Sequence, residues 1–467
     1  MSTKQCFNPY MGAHEYVPDG EPHVFGDRVY VYGSHDRFNG ATFCINDYIC
    51  WSAPVTDLKD WRYEGVIYKK SQDPANANGR MVLYAPDVTQ GPDGRYYLYY
   101  VMDKINIVSV AVCDTPAGKY EFYGYVHYED GIKLGDKEGD EPQFDPAVIT
   151  EGETTCMYTG FCGRGDKTRS GSQCTVLGPD MLTIRKAPVI VVPGSCYSEG
   201  TGFEGHAFFE ASSIRKKGDT YYFVYSSEVM HELAYATSKS PDKDFVYGGV
   251  IVSNADLGIS SYKPADKPTA YGANNHGGFE LINGKYYIFY HRHTNGHWFS
   301  RQGCAEEMTF NADGSIPQVT MTSCGLNGGP LNDYDEYSAH IACNMFSDKK
   351  EIYVGGGQPH VTQDGADGDD DSDVYIENIN EGYTIGFKYF DLKSVKGMYT
   401  ITCGYCHGQF EVRTSIDGPV LGTIPSDSAN FWEKNEARFD IPDGVSAIYL
   451  TWTGGSCPRF KAFGFIH

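Results

Sequence analysis

The sequence predicts an all-β protein, a five-bladed β-propeller followed by an antiparallel β-sandwich of jelly-roll type. Three observations carry the prediction. The chain holds 37 Tyr, 25 Phe, 5 Trp and 54 Gly, and aromatics favour strands whereas glycine serves tight turns. A hairpin pattern recurs five times at a period of about 65 residues, the mark of a repeat architecture. From about residue 340 the recurrence is gone, and short alternating segments continue to the end. At 467 residues the chain exceeds what one core usually serves, so the domains are expected over 1–330 and 341–467, with 331–340 as linker.

Each repeat is a Gly-centred turn followed by an aromatic strand. The copies are FGDRVYVYGS near Val29, PDGRYYLYYV near Tyr96, TTCMYTGF near Met157, KKGDTYYFVYS near Tyr221 and INGKYYIFYH near Tyr286. Successive offsets are 67, 61, 64 and 65 residues. Hairpins at constant spacing describe sheets arranged around an axis.

An ionisable side chain precedes every copy by 9 to 12 residues: Asp19, Asp87, Asp145, Glu210 and His276. In a propeller the innermost strand of each blade lines the central channel, so these five converge. Alone, an Asp before a strand is a turn residue, and a single His is a satisfied core residue. Five in register are harder to dismiss, because crowded acids push their pKa values apart, which is seldom tolerated without function.

Composition narrows the partners. The net charge of −23 repels phosphate backbones, so nucleic acid is not expected as a partner and a neutral ligand suits the surface better. No stretch approaches about 18 consecutive apolar residues, and the first twenty lack the apolar core of an export signal. No membrane association is expected, and fourteen scattered cysteines read as reduced thiols of a cytoplasmic protein. The CGYC at Cys403–Cys406 lies in an alternating strand pattern and reads as structural.

A ring of carboxylates suits glycoside hydrolysis, in which one carboxylic acid protonates the leaving oxygen and one carboxylate acts from the other side of the sugar. In the inverting form that carboxylate activates water across a gap of about 6.5–9.5 Å, which opposite sides of a propeller axis supply.

The motifs resemble glycoside hydrolase family 43 over about residues 7–330. In PDGEPHVFGDRVYVYGSHD the resemblance puts Asp19 at the catalytic base. Glu21, which precedes proline as the family's base usually does, is the rival, and counting back from GSHD favours Asp19. FDPAV supplies Asp145 as the residue tuning the acid. HAFFEASSIRKKGDTYY supplies Glu210 as general acid, with Glu204 the alternative. YAPDV places Tyr84 and Asp87, and YHRH places Arg292, among the sugar-binding residues. NNHGG puts His276 beside a structural Ca2+, although one His among waters is a poor calcium site by oxygen-ligand criteria. No cofactor is required for the chemistry.

From residue 341 the segments NEGYTIGFKYFDL, NFWEKNEARFDIPDG and SAIYLTWTGG resemble family 6 carbohydrate-binding modules, with Tyr383 and Trp432 as candidate sugar-gripping aromatics. SCPRFKAF stands where that family has its late sugar-binding Asn, and the N-terminal Glu pair for calcium is missing. The acidic run Asp364–Asp373 lacks an EF-hand pattern and reads as a solvated loop.

The resemblance implies an inverting, exo-acting hydrolase releasing pentoses from arabinoxylan or xylan-derived oligosaccharides, α-L-arabinofuranosidase first and β-D-xylosidase second. The rivals are a glycan-binding propeller without catalysis and a hydrolase of arabinan or galactan. A lectin needs no protonated acid, which weighs against the first.

Overall fold

In the computed structural model, which describes residues 4–467, strands dominate, and the helices among these residues are single three-residue 3-10 turns. None is long and apolar enough to cross a membrane. Five antiparallel sheets follow one another along the chain, four of four strands and a fifth of three, each pairing its strands in chain order. They begin at Glu21, Asp87, Ala147, Phe208 and Phe279.

Every repeat is the first hairpin of one sheet. Gly26, Gly94, Gly152, Gly218 and Gly284 stand in the five turns, all with φ between 61° and 84°, a region that a side chain disfavours and tight hairpins demand. The aromatics that follow fill the space between sheets. One apolar core separates each sheet from the next: Tyr32, Tyr48 and Tyr100 between the first two, Tyr99 and Met157 between the second and third, Tyr158 and Phe223 between the third and fourth, Tyr222 and Phe279 between the fourth and fifth. A fifth core sets Val29 and Val31 of the first sheet against Tyr287 and Phe289 of the last. The first and last sheets therefore pack against each other as successive sheets do. The first strands of the first and second, second and third, third and fourth, and fifth and first sheets contact one another.

The rest of the chain forms a six-stranded and a five-stranded antiparallel sheet. They share one core, in which Phe387, Phe410 and Trp452 of one sheet meet Phe460 and Phe463 of the other. Residues 331–340, expected as a linker, are part of this packing. Leu331 is fully buried and bridges to Phe390, while Tyr337 pairs with Phe463 in a ladder. A segment that buries large apolar side chains acts as structure rather than tether. Tyr383, expected as a sugar contact, is likewise buried in that core.

Candidate active site

One cavity of about 440 Å³ opens over the axis. Two tiers of residues line it. The inner tier comes from segments that enter the first strands: Asp19, Tyr84, Ala85, Phe144, Asp145, Phe209, Glu210, Asn274 and His276. The outer tier comes from loops joining second to third strands: Phe43, Cys44, Phe161, Met230, Trp298 and Arg301. Asp19 and Asp145 precede their strands with φ of 57° and 41°, and this local turn aims each carboxylate at the mouth rather than along the ladder. At Glu210 the pairing register shifts, and the next residue, Ala211, has φ 68°. A bulge next to a site commonly re-aims a side chain in this way. Gly33 permits the approach of the neighbouring strand, since a Cβ there would lie 2.2 Å from the Pro18 carbonyl oxygen.

The electrostatics separate the three carboxylates. Burial alone would raise the pKa of Asp19, but the Arg301 guanidinium overrides it and holds the carboxyl far below its ordinary value. Arg301 Nη1 donates to Asp19 Oδ1 at 2.8 Å, and Ser34 Oγ donates to Oδ2. His291 packs alongside, with Nε2 2.7 Å from the Asn274 carbonyl oxygen and Nδ1 3.2 Å from Asp19 Oδ1. Glu210 goes the other way. Burial first and the Asp19 charge second push it up to about 7, against Arg301 and a hydrogen bond from Asn274. Asp145 is raised well above its ordinary value, first by burial and then by Glu210 and Asp19. Asp145 and Glu210 are therefore a buried pair that does not ionise fully together at neutral pH. The site holds an ionised carboxylate beside a pair that keeps a proton near neutral pH, the combination a general base and a general acid require.

Of the sequence-predicted residues, Asp19, Tyr84, Asp145, Glu210 and His276 meet at this cavity. Asp87 does not. It is fully buried beneath, its carboxylate accepting the Val148 and Val88 backbone N–H groups at 2.7 Å each and facing His23 Nε2 at 2.6 Å. Asp87 is the first residue of its strand, as Glu21 is of the first sheet, so it matches Glu21 rather than Asp19 in register. Arg292 also lies elsewhere: its Nη2 donates to the Ala342 carbonyl at 2.6 Å in the second domain. The arginine of the cavity is Arg301, nine residues on. The sequence signal that could have found it is position, since Arg301 immediately precedes the third strand of the fifth sheet, where the loops of the outer tier end.

The rivals Glu21 and Glu204 do not line the cavity. Glu21 lies below the cavity, bound by Ser213 Oγ and Arg215 Nη2 at 3.0 Å each, and Glu204 accepts the Gly200 N–H in an exposed turn. Sequence reading also missed an aromatic row along one wall. Tyr84, Phe144, Phe161 and Phe209 follow one another with ring centroids 4.9–5.3 Å apart, a surface suited to the C–H faces of a sugar. Trp432 sits apart, 5.4 Å from Tyr375, with Arg459 and Lys461 over its ring.

Beneath the cavity, His276 Nε2 and Glu21 Oε1 face each other at 3.9 Å, and both buried atoms lack a hydrogen-bond partner. Buried orphans of this kind ask for a water or an ion. The pair fits a hydrated cation that takes one carboxylate oxygen, one imidazole nitrogen and water. It is not a calcium cage of protein oxygens. Burial pushes His276 down to about 4, leaving it neutral and able to ligate.

Residues 17–316 match the family described as Glycosyl hydrolases family 43. A xylosidase/arabinosidase of Thermoclostridium stercorarium is 62% identical over 467 residues, spanning 98% of each chain. Among solved structures, a family 43 arabinoxylan arabinofuranohydrolase from Bacillus subtilis in complex with cellotetraose shares the fold over 98% of this chain and 97% of its own, at 21% identity and a TM-score of 0.54. A family 43 β-xylosidase/α-arabinofuranosidase from a compost metagenome, in complex with xylotriose in a calcium-free form, covers 68% of this chain and 98% of its own, at 25% identity and a TM-score of 0.53. With one carboxylate held charged beside two raised carboxyls and with these matches, the chain belongs to glycosyl hydrolases family 43 and is a glycoside hydrolase.

Proposed function

We propose that the protein is an inverting, exo-acting xylosidase/arabinosidase that releases pentoses from arabinoxylan or xylan-derived oligosaccharides, with α-L-arabinofuranose first and β-D-xylose second. The observation that carries the reading is the separation of Asp19, held ionised by Arg301, from Glu210, held protonated by burial and by the Asp19 charge. Asp19 takes a proton from water as the water attacks the anomeric carbon. Glu210 gives its proton to the departing oxygen. Asp145 receives the Ala211 backbone N–H at 3.2 Å and shares the acid's proton inventory, so it tunes and positions Glu210.

The aromatic row binds the sugar through its apolar faces, and a cavity of about 440 Å³ is at the small end for ligand sites, which favours cleavage from a chain end. The five sheets act as propeller blades that bring residues from 19 to 301 to one point. The two-sheet domain is a β-sandwich resembling a family 6 module. A cation held by Glu21 and His276 would supply positive charge below the carboxylates, and no proton transfer above requires it. Fourteen free cysteines support a cytoplasmic enzyme of short oligosaccharides.

Release of 4-nitrophenol from arabinofuranoside and xyloside substrates tests the activity, and the product anomer, read by NMR before mutarotation, tests inversion. Silence on both aryl glycosides and on arabinoxylan oligosaccharides would return the glycan-binding reading. A retained anomer would remove Asp19 from the role of base.

A further inference from the structure

The acidic run of the second domain reaches the hydrolytic site. It forms a loop braced at its base by the Asp364 N–H to the Asp373 carbonyl at 3.0 Å and by Gln363 Nε2 to the Ala366 carbonyl at 2.7 Å. His14 Nε2 meets the Ser372 carbonyl at 3.0 Å and ties the loop to the N-terminal segment. From this brace Asp367 projects across the domain boundary. Its Oδ1 accepts the Phe38 backbone N–H at 2.7 Å and its Oδ2 accepts Asn46 Nδ2 at 3.1 Å.

These two contacts clasp both ends of the segment 38–46, and the middle of that segment walls the cavity. Phe43 lies under the Arg301 guanidinium, 4.8 Å from carbon to ring centroid, and the Cys44 backbone N–H donates to Asp36 Oδ1 at 2.9 Å. The same Asp36 holds Arg301 with both oxygens, at 2.9 Å to Nε and 3.1 Å to Nη2. Arg301 in turn holds Asp19. Four links therefore connect a residue of the second domain to the carboxylate that acts on water.

We propose that Asp367 is a positioning residue of the hydrolytic site, fastening the segment 38–46 so that Phe43 and Cys44 keep a fixed wall against Arg301 and the bound pentose. The second domain then completes the substrate pocket of the first, whatever glycan it binds itself. This rests on the hydrolytic reading of the Asp19–Glu210 site. A clasp on a pocket wall governs how well the sugar is held rather than the proton transfers, so its signature is in KM.

The test uses the full chain with Asp367→Ala and Asp367→Asn. Asparagine keeps the oxygen that accepts the Phe38 N–H and can restore that end of the clasp. For Asp367→Ala we expect KM on a 4-nitrophenyl pentoside to rise about five-fold with kcat nearly unchanged, as fits the loss of a pair of partly exposed hydrogen bonds. Asp367→Asn should recover most of the loss. Cys44 is buried in the intact wall, so its alkylation by iodoacetamide, located by peptide mass, should accelerate several-fold in Asp367→Ala once the clasp is lost. Wild-type KM and wild-type labelling in a folded Asp367→Ala would overturn the proposal. So would a joint fall of kcat, KM quality and Tm in both variants, which marks a structural role alone. Faster labelling in a protein inactive on every pentoside would instead keep the clasp and remove the hydrolytic reading.

Discussion

The molecule carries two buried carboxylate clusters, one lining the cavity and one outside it, and only the first is arranged for chemistry. In the first, Asp19 faces the cavity beside Glu210 and Asp145. In the second, Glu21, His23 and Asp87 bring three ligand-type atoms within 4.8 Å of one another, closed in by Arg215, which also faces Glu280 at 3.5 Å. Gly278 leaves room for this packing, since a Cβ there would sit 2.6 Å from Glu21 Oε2 and 2.4 Å from Ser213 Oγ. Burial, with the opposing Arg215 charge and the neighbouring Asp87, leaves Glu21 pushed up to about 8. Burial of acids is thus common to both clusters. The first cluster differs in having one carboxylate held ionised by an arginine and an open side where substrate can enter. Perturbed acids alone do not mark an active site; access and separated charge states do.

The sharpest way to break this comparison is Asp19→Asn, expected to lower kcat about ten-thousand-fold on aryl and natural substrates alike, at the upper end for loss of a general base. Appreciable turnover in that variant would move the base elsewhere. Glu210→Gln is expected to cost about a hundred-fold on oligosaccharides and under ten-fold on 4-nitrophenyl glycosides, whose leaving group needs little protonation. Equal losses on both would take Glu210 out of the acid role.

Below the cavity the expected effect is on stability. Arg215→Met leaves Glu21, Asp87 and Glu280 without their cation and should destabilise by about 3 kcal/mol, seen as a fall in Tm, while kcat per folded molecule stays within about three-fold. A large kcat loss at unchanged Tm would make the second cluster catalytic.

Titration sharpens the same contrast. With Glu210 raised to about 7, activity should fall as pH rises through about 7 as the acid loses its proton. Asp145→Asn removes the like charge that competes for it and should move this alkaline limb to lower pH. An unmoved limb would break the Asp145–Glu210 pairing.

The smallest effect expected is thermodynamic. A carboxyl raised in the fold above its ordinary 4.5 binds its proton more tightly folded than unfolded. Its contribution is fully present below about 4.5 and is lost as pH rises through about 7. Glu210→Gln should therefore be more stable than the parent at pH 8, with the advantage gone near pH 4, measured by thermal melts at both.

Much of this was legible in one dimension. The glycine turns and aromatic strands gave five hairpins, because backbone geometry at φ above zero and side-chain alternation are local properties. Asp19, Asp145 and Glu210 were legible because each sits at a fixed offset from such a hairpin. The same offset misplaced Asp87, which stands two residues further into its strand than Asp19 and so takes the place of Glu21, outside the cavity. Arg292 was misread for a related reason, as the loop that follows it, and not the strand that carries it, returns to the cavity with Trp298 and Arg301.

The sequence by itself determined the hairpin period, the order of the acids along the chain and the family to which they belong. Only the tertiary structure decided which acid is charged, because Arg301 is 282 residues from Asp19 and no local pattern pairs them. It also decided that residues 331–340 are packed and that Asp367 touches the wall of a pocket in the other domain. Charge state and access depend on what surrounds a group in space, and that environment exists only once distant segments have been folded onto one another.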